Sequence, residues 1–286
     1  MPTDLAATVR AVGLEISEVL HRTDKTLLAT GTLAERRVAV KCLLDPDPFW
    51  AGKWRHEVDV YQLFATCPPP LRVPRLLYTD GVRLLVLEWL HGRRLDDDRY
   101  PRRALSTTET DAVLGCVQGF NRWPAPGSGF GIVFDYPDRF RRYRSRGYLD
   151  EADHDALTRL LSRVGEPRQI NHGDPLPSNI LIDPALGATL LDWEYTGLFL
   201  PGFDLAMLHT QLGAYTPAVQ KRIDEFIVES GNVDAFAVNL VAVLTRELRL
   251  HHELPDGPLR ESRLSLIEAA WDQARDRLHR QAGRRP

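Results

Sequence analysis

Several things are missing from this sequence, and each absence narrows what the chain can be. A formal charge of -3 over 286 residues leaves no basic field for nucleic acid and no polybasic face for anionic lipid. Cys42, Cys67 and Cys116 are odd in number and widely spaced. With no Cys-x-x-Cys pair, they signal neither a disulfide framework nor a zinc site. The N-terminal region carries Asp4 and Glu15 and shows no apolar core of signal-peptide type. The most apolar later stretch, Ala235 to Thr245, is too short to cross a bilayer and contains Asn239. The expectation is a cytoplasmic protein, monomeric or weakly dimeric, that engages neither nucleic acid nor membrane. Lysine is scarce as well: of 36 basic residues only Lys25, Lys41, Lys53 and Lys221 are lysines, so one inside an apolar strand stands out.

What is present suits a globular protein. Hydrophobic content of 43% and charged content of 26% are ordinary, and the length allows one large domain or two modest lobes. The first third reads as strands with one helix. Leu14–Leu20, Thr26–Leu33 and Arg37–Leu43 are short runs rich in Val, Ile, Leu and Thr. Asp47-Pro48 then offers an N-cap and a first-turn proline for a helix to about Ala65. Arg75–Thr79 and Arg83–Trp89 complete five strands around a turn at Asp80-Gly81. From about Asp96 the pattern turns helical. Ser106 to Glu109 is a capping box, and helices are expected over Glu151–Val164, Pro201–Leu212, Pro217–Ser230, Val233–His252 and Glu261–Arg280. The tail after His279 reads as frayed.

Within the helical part, Asn179–Ile182 and Thr189–Leu191 are too brief for helices and bracket a turn-rich link, which predicts a hairpin. Asp174 follows a glycine on an irregular segment before it. Asn179 opens the first strand and Asp192 ends the second. Two carboxylates and an amide oxygen can thus converge at one end of the hairpin. Such hard donors suit Mg²⁺, and the remaining carboxylate can orient a hydroxyl and accept its proton. Lys41 sits in the apolar strand Val38-Ala39-Val40-Lys41, where its ammonium needs a partner. On the following helix Trp50, Trp54, Glu57 and Tyr61 share one stripe, and Glu57 is its only acid.

These motifs carry a resemblance. His172-Gly173-Asp174 with Asn179, then Asp192-Trp193-Glu194, resembles the catalytic and metal loops of the aminoglycoside phosphotransferase and choline kinase family, relatives of protein kinases. The resemblance implies an α+β, protein-kinase-like fold of two lobes. Residues 1–90 would form a small five-stranded nucleotide-binding lobe. Residues 91–286 would form a mainly helical lobe with the catalytic and metal loops and the substrate site. It implies Asp174 as the catalytic base, Asn179 and Asp192 as Mg²⁺ ligands, and Lys41 paired with Glu57 to aim at the phosphates of ATP or GTP. Glu88-Trp89-Leu90 would be the hinge that meets the purine. Asp204, in Pro201 to Ala206, and His172 would brace the catalytic loop. A glycine-rich loop is absent: Arg22 to Thr26 holds no glycine, so Thr23 or Thr26 would touch phosphate or merely close a turn. Glu194 would face a substrate ammonium or brace the next helix.

Between Leu200 and Ala270 acids outnumber bases ten to six, which mildly favours a cationic substrate, although a solvated helical face is the commoner cause of such a count. His251-His252-Glu253 offers little to a metal, because adjacent helical histidines point apart. The functional expectation is a kinase of a small hydroxylated compound: an aminoglycoside or other antibiotic first, an amino alcohol such as choline or a sugar next. The competing expectation is a nucleotide-binding pseudokinase with a regulatory role.

Overall fold

The protein is seen in a computed structural model that describes residues 3–126 and 129–284. A nine-residue helix α1 (Thr3–Ala11) precedes β1 (Leu14–Arg22), β2 (Thr26–Leu33) and β3 (Arg36–Leu43). Helix α2 (Pro48–Thr66) follows, then β4 (Leu76–Thr79) and β5 (Leu84–Glu88). The five strands form one antiparallel sheet in the order β1-β2-β3-β5-β4, so β3 and its lysine sit at the centre. The sequence pattern fixed these strands to within two residues. Helix α1 is a correction to the expectation of a single early helix. Nine residues give periodicity too little length to register, and α1 is held by Val9 packing on the sheet's own core with Leu14, Leu27 and Val40.

Helix α2 starts as expected, with the Asp47 carboxylate accepting from Phe49 N and Pro48 in the first turn. Such a cap contributes about 1 kcal/mol. Its inward stripe is Trp54, Glu57 and Tyr61, all buried, while Trp50 is half-buried. Val58, Tyr61 and Phe64 belong to the same apolar core as the later helices, so α2 ties the sheet to the helical part.

The chain then passes β6 (Arg93–Arg94) and enters α3 (Thr107–Asn121), whose Ser106–Glu109 capping box is formed in both directions. Helix α4 (Tyr136–Ser145) has no counterpart in the sequence reading. Four arginines in ten residues hide its apolar stripe of Tyr136, Phe140 and Tyr143, although Asp135 caps it and Pro137 lies in its first turn. After α5 (Glu151–Val164) come β7 (Gln169–Asn171), the hairpin β8 (Ile180–Asp183) and β9 (Gly187–Leu190), and β10 (Gly197–Phe199). Strand β6 pairs with β8, and β7 with β10. Strands this short carry no periodicity of their own.

Helices α6 (Phe203–Gly213), α7 (Pro217–Glu229), α8 (Val233–His252) and α9 (Pro258–Ala282) close the fold. The described residues after His279 are not frayed, and Arg285 and Pro286 lie outside the described residues. Helix α9 continues to Ala282 because Leu278 and Gln281 are buried and Arg163 donates to the Gln281 carbonyl at 2.8 Å. Among the described residues no helix is long and apolar enough to cross a membrane.

Candidate active site

Lys41 reaches out of the central strand and is the hub of the site. Its Nζ lies 2.6 Å from Glu57 Oε2 and 2.8 Å from Asp192 Oδ1. The Glu57 side chain is 2% exposed, whereas that of Asp192 is 38% exposed and opens to the cleft. Burial pulls the lysine toward neutrality, but Asp192, Glu57 and Glu194 together outweigh it and hold its pKa well above the ordinary value. Asp192 does not end β9, as the sequence suggested. It lies two residues past Leu190 with φ of 67°, a left-handed conformation that Asp tolerates better than most residues.

Behind Asp192 stands Trp193, fully buried against Phe64 of α2, Phe120 of α3 and the His172 ring, at centroid distances of 4.8, 4.9 and 4.7 Å. Edge-on aromatic pairs like these add about 0.5–1.5 kcal/mol each beyond their burial. They fix the backbone next to Asp192 to the two helices that flank the site.

The loop carrying Asp174 is braced from below by Asp204. The Asp204 carboxylate, with no exposed surface, accepts from His172 N at 2.7 Å, Gly173 N at 2.8 Å and Asn121 Nδ2 at 3.1 Å. His172 Nδ1 accepts from Asp174 N at 3.3 Å and Nε2 lies 2.9 Å from the Leu191 carbonyl, so one neutral tautomer satisfies both contacts. Burial lowers the pKa of this ring, which keeps it neutral. The ring joins the Asp174 loop to the segment leading into Asp192. Gly173 is required at its position: φ is 84°, and a Cβ would overlap the Tyr195 carbonyl. Asn179 Nδ2 donates to the Asp174 carbonyl at 3.1 Å, which leaves the amide oxygen for another partner.

A cleft of about 870 Å³ runs between sheet and helices, and Thr23, Thr26, Lys41, Glu88, Trp89, Leu90, Asn179 and Asp192 all line it. Asp192 and Asn179 offer oxygen donors on one side of it, a donor set that fits Mg²⁺. The segment from Glu88 to Leu90 is held by Glu88, whose N–H donates to the Arg75 carbonyl at 2.8 Å and whose carboxylate takes Arg75 Nε at 3.2 Å. Arg37 covers Trp89 at 4.1 Å. The Thr23 hydroxyl accepts from Thr26 N at 3.0 Å and Lys25 N at 3.2 Å, a turn-closing pattern. Asp174 and Glu194 are not in the cleft wall. Glu194 instead brings its carboxylate within 4.8 Å of those of Glu57 and Asp192. Burial first, and then the Asp192 charge, push its pKa up to about 7.

Sequence reasoning missed the surroundings of Asp174. Arg246 of α8 places Nη2 3.3 Å from Asp174 Oδ1, and Arg99, in the segment after β6, grips the fully buried Glu247 at 2.6 and 2.7 Å. Burial raises the Asp174 pKa, opposed by Arg246 and then Arg99. In a chain whose bases are nearly all arginine, nothing marked these two. The acid surplus from Leu200 to Ala270 is not at the site: Asp224 pairs with Arg277, Asp234 with Arg163, Glu253 with Arg249 and Asp256 with Arg260. His251 and His252 diverge, toward Tyr100 and Tyr148, as helix geometry requires.

This fold, a five-stranded antiparallel sheet over a mainly helical lobe, is that of the protein-kinase-like aminoglycoside phosphotransferases. Aminoglycoside phosphotransferase APH(2'')-Ib with ADP bound superposes with a TM-score of 0.62 at 12% identity, covering 97% of this chain and 99% of that one. A thermostable mutant of APH(4)-Ia, in ternary complex with ADP and hygromycin B, gives 0.59 at 14% identity over 98% and 99%. The GDP complex of aminoglycoside 2'-phosphotransferase-IIIa gives 0.58 at 14% identity over 96% and 99%. No curated protein sequence matches the chain significantly. The sequence profile of the phosphotransferase enzyme family (APH) matches residues 32–228, and the chain belongs to that family.

Proposed function

We propose that the protein is a nucleotide-dependent O-phosphotransferase that moves the γ-phosphate of ATP or GTP to a hydroxyl of a small molecule. The observation that carries this reading is Lys41, held between Glu57 and Asp192 on the wall of a large cleft, with Asp174 on a braced loop of the same site. A pure binding module, as in the pseudokinase alternative, gives no reason to brace Asp174.

In this reading residues 1–90 hold the nucleotide and 91–286 the acceptor. Backbone groups of Glu88 to Leu90 meet the purine, Lys41 meets the phosphates, and Thr23 and Thr26 cover them. Asn179 and Asp192 would hold Mg²⁺, which when bound neutralises phosphate charge as it moves to the leaving oxygen. Asp174 orients the acceptor hydroxyl. The acceptor oxygen bonds to the γ-phosphorus, the bond to the bridging oxygen breaks, and Asp174 takes the proton. Either purine suits such backbone contacts, and the similar structures hold ADP in two cases and GDP in one. Antibiotics are the first acceptors to test, since these structures are of aminoglycoside kinases. The protein works in the cytoplasm, where the nucleotide is.

The test separates the two carboxylates. Asp192→Ala should lose Mg-nucleotide affinity and turnover together. Asp174→Ala should keep nucleotide affinity yet cut transfer by roughly 10²–10⁴. Calorimetric titration of nucleotide, paired with single-turnover transfer, reads both, and the reverse pattern would overturn the assignment.

A further inference from the structure

Asp174 is held by its backbone at every contact but one. Its N–H donates to His172 Nδ1 at 3.3 Å, and its carbonyl accepts from Asn179 Nδ2 at 3.1 Å and from Leu176 N at 2.7 Å. The Asp204 brace likewise grips backbone, through His172 N and Gly173 N. These bonds fix the course of the loop but not the two side-chain torsions of Asp174, the second of which is broad for any Asp. Among the described residues the carboxylate accepts a single hydrogen bond, from Arg246 Nη2 to Oδ1 at 3.3 Å. Oδ2 accepts none, and the side chain keeps 18% of its surface exposed.

Arg246 is itself anchored. Its Nε donates to Glu247 Oε1 at 3.2 Å, and its Nη2 also lies 3.1 Å from Met207 Sδ of α6. Glu247 has no exposed surface. Its Oε2 accepts from Arg99 Nε and from the Tyr100 hydroxyl, both at 2.6 Å, and its Oε1 accepts from Arg99 Nη2 at 2.7 Å. Burial would raise the Glu247 pKa, but Arg246 and then Arg99 outweigh it and hold the value down to about 2, so the anchor stays an anion. The planar fork of Arg246 therefore spans two carboxylates, one locked inside the helical lobe and one on the loop. Two guanidinium groups and two carboxylates alternate along this chain and cancel, so what Arg246 supplies is geometry rather than spare charge.

We propose that Arg246 is a positioning residue for the transfer step: it pins Asp174 Oδ1, so that Oδ2 is the oxygen turned to the incoming hydroxyl. The inference rests on the phosphotransferase reading and names the residue that aims its base. An ion pair that merely tied α8 to the loop would give a different signature. Its loss would lower stability and nucleotide affinity, and it would be felt as strongly without Asp174 as with it.

The test takes water as the acceptor, since water meets the same base. Its oxygen bonds to the γ-phosphorus, and the bond to the bridging oxygen breaks with the electron pair staying on the nucleoside diphosphate. The water proton passes to Asp174 Oδ2 and then to solvent. Hydrolysis of Mg·ATP and Mg·GTP by the full chain is compared among the parent, Arg246→Met, Asp174→Asn and the double variant, with a thermal melt of each. Arg246→Met should fold, because Glu247 keeps its three bonds from Arg99 and Tyr100; Arg246→Lys carries the same comparison should it not. Arg246→Met should cut kcat about 10- to 100-fold and leave the nucleotide KM within about twofold. On the Asp174→Asn background the same change should cost nothing further, because no base remains to be aimed. Arg246→Lys should regain only part of the loss, since an ammonium lacks the fork. An unchanged kcat in Arg246→Met, multiplied losses in the double variant, or full recovery by Lys overturns the proposal. Binding of neither nucleotide to the parent would defeat the phosphotransferase reading itself, whereas binding without hydrolysis over hours would show an unaimed Asp174 and sink this proposal alone.

Discussion

Replacing Lys41 with Met exposes how the site's charges are held. Glu57, 2% exposed, loses the partner 2.6 Å away and cannot reach water. Removing one partner of a buried pair costs about 3–5 kcal/mol. Glu57 can instead take a proton, because burial already raises its pKa above the ordinary carboxylate value and the lysine that opposes this rise is gone. Asp192 adds little, because its side chain is 38% exposed and hydrated. Domains of ordinary stability hold about 5–15 kcal/mol, so the variant stays folded but melts well below the parent.

The protonation route fixes the sign of the pH dependence. Without Lys41 the folded pKa of Glu57 lies above its unfolded value, so the carboxyl favours the fold at low pH and opposes it as pH rises. The deficit should shrink as pH falls toward the ordinary carboxylate range, by at most about 1.4 kcal/mol per unit. Lys41→Met/Glu57→Gln should recover most of the stability while transfer stays lost, since the amide needs no counter-ion and the phosphates still lack theirs. Denaturant melts without divalent ions, paired with single-turnover transfer, check both halves. A single variant as stable as the parent at pH 7.5, or a double variant no better than the single, would refute the burial argument. Parental turnover in either would refute the phosphate role.

Two further outcomes are expected. Gly173→Ala should lower transfer and melting temperature together, because the methyl meets the Tyr195 carbonyl and the φ of 84° is strained; an unchanged thermal melt would show that the loop relaxes freely. Glu194, raised to about 7 from the usual 4.5, should make the metal-free protein less stable as pH rises through that interval. Mg²⁺ with nucleotide should suppress this fall, and a flat stability profile from pH 5 to 8 would show that Glu194 is solvated.

Lys41 and Glu57 were legible because burial forbids an unpaired charge, so an isolated lysine in Val38–Lys41 and a lone acid on the Trp54–Tyr61 stripe announce each other. Asp174, Asn179 and Asp192 were legible because loop chemistry is local: a glycine, a short strand and a turn set their spacing. Pattern also sufficed for β1 to β5 and for the long helices, where many residues repeat one preference. It did not suffice for α1, α4, β6, β7 and β10, each short or masked by charge and held by contacts from elsewhere in the chain. Nor did it reach Arg246 and Arg99. Counting acids from Leu200 to Ala270 averaged over every face of four helices, whereas the charge at Asp174 depends on which two arginines the α8 packing turns inward. Spacing along the chain marked Lys41, Glu57, Asp174, Asn179 and Asp192. The surroundings of Asp174 are assembled from separate segments, and only the tertiary structure decided which arginines reach them.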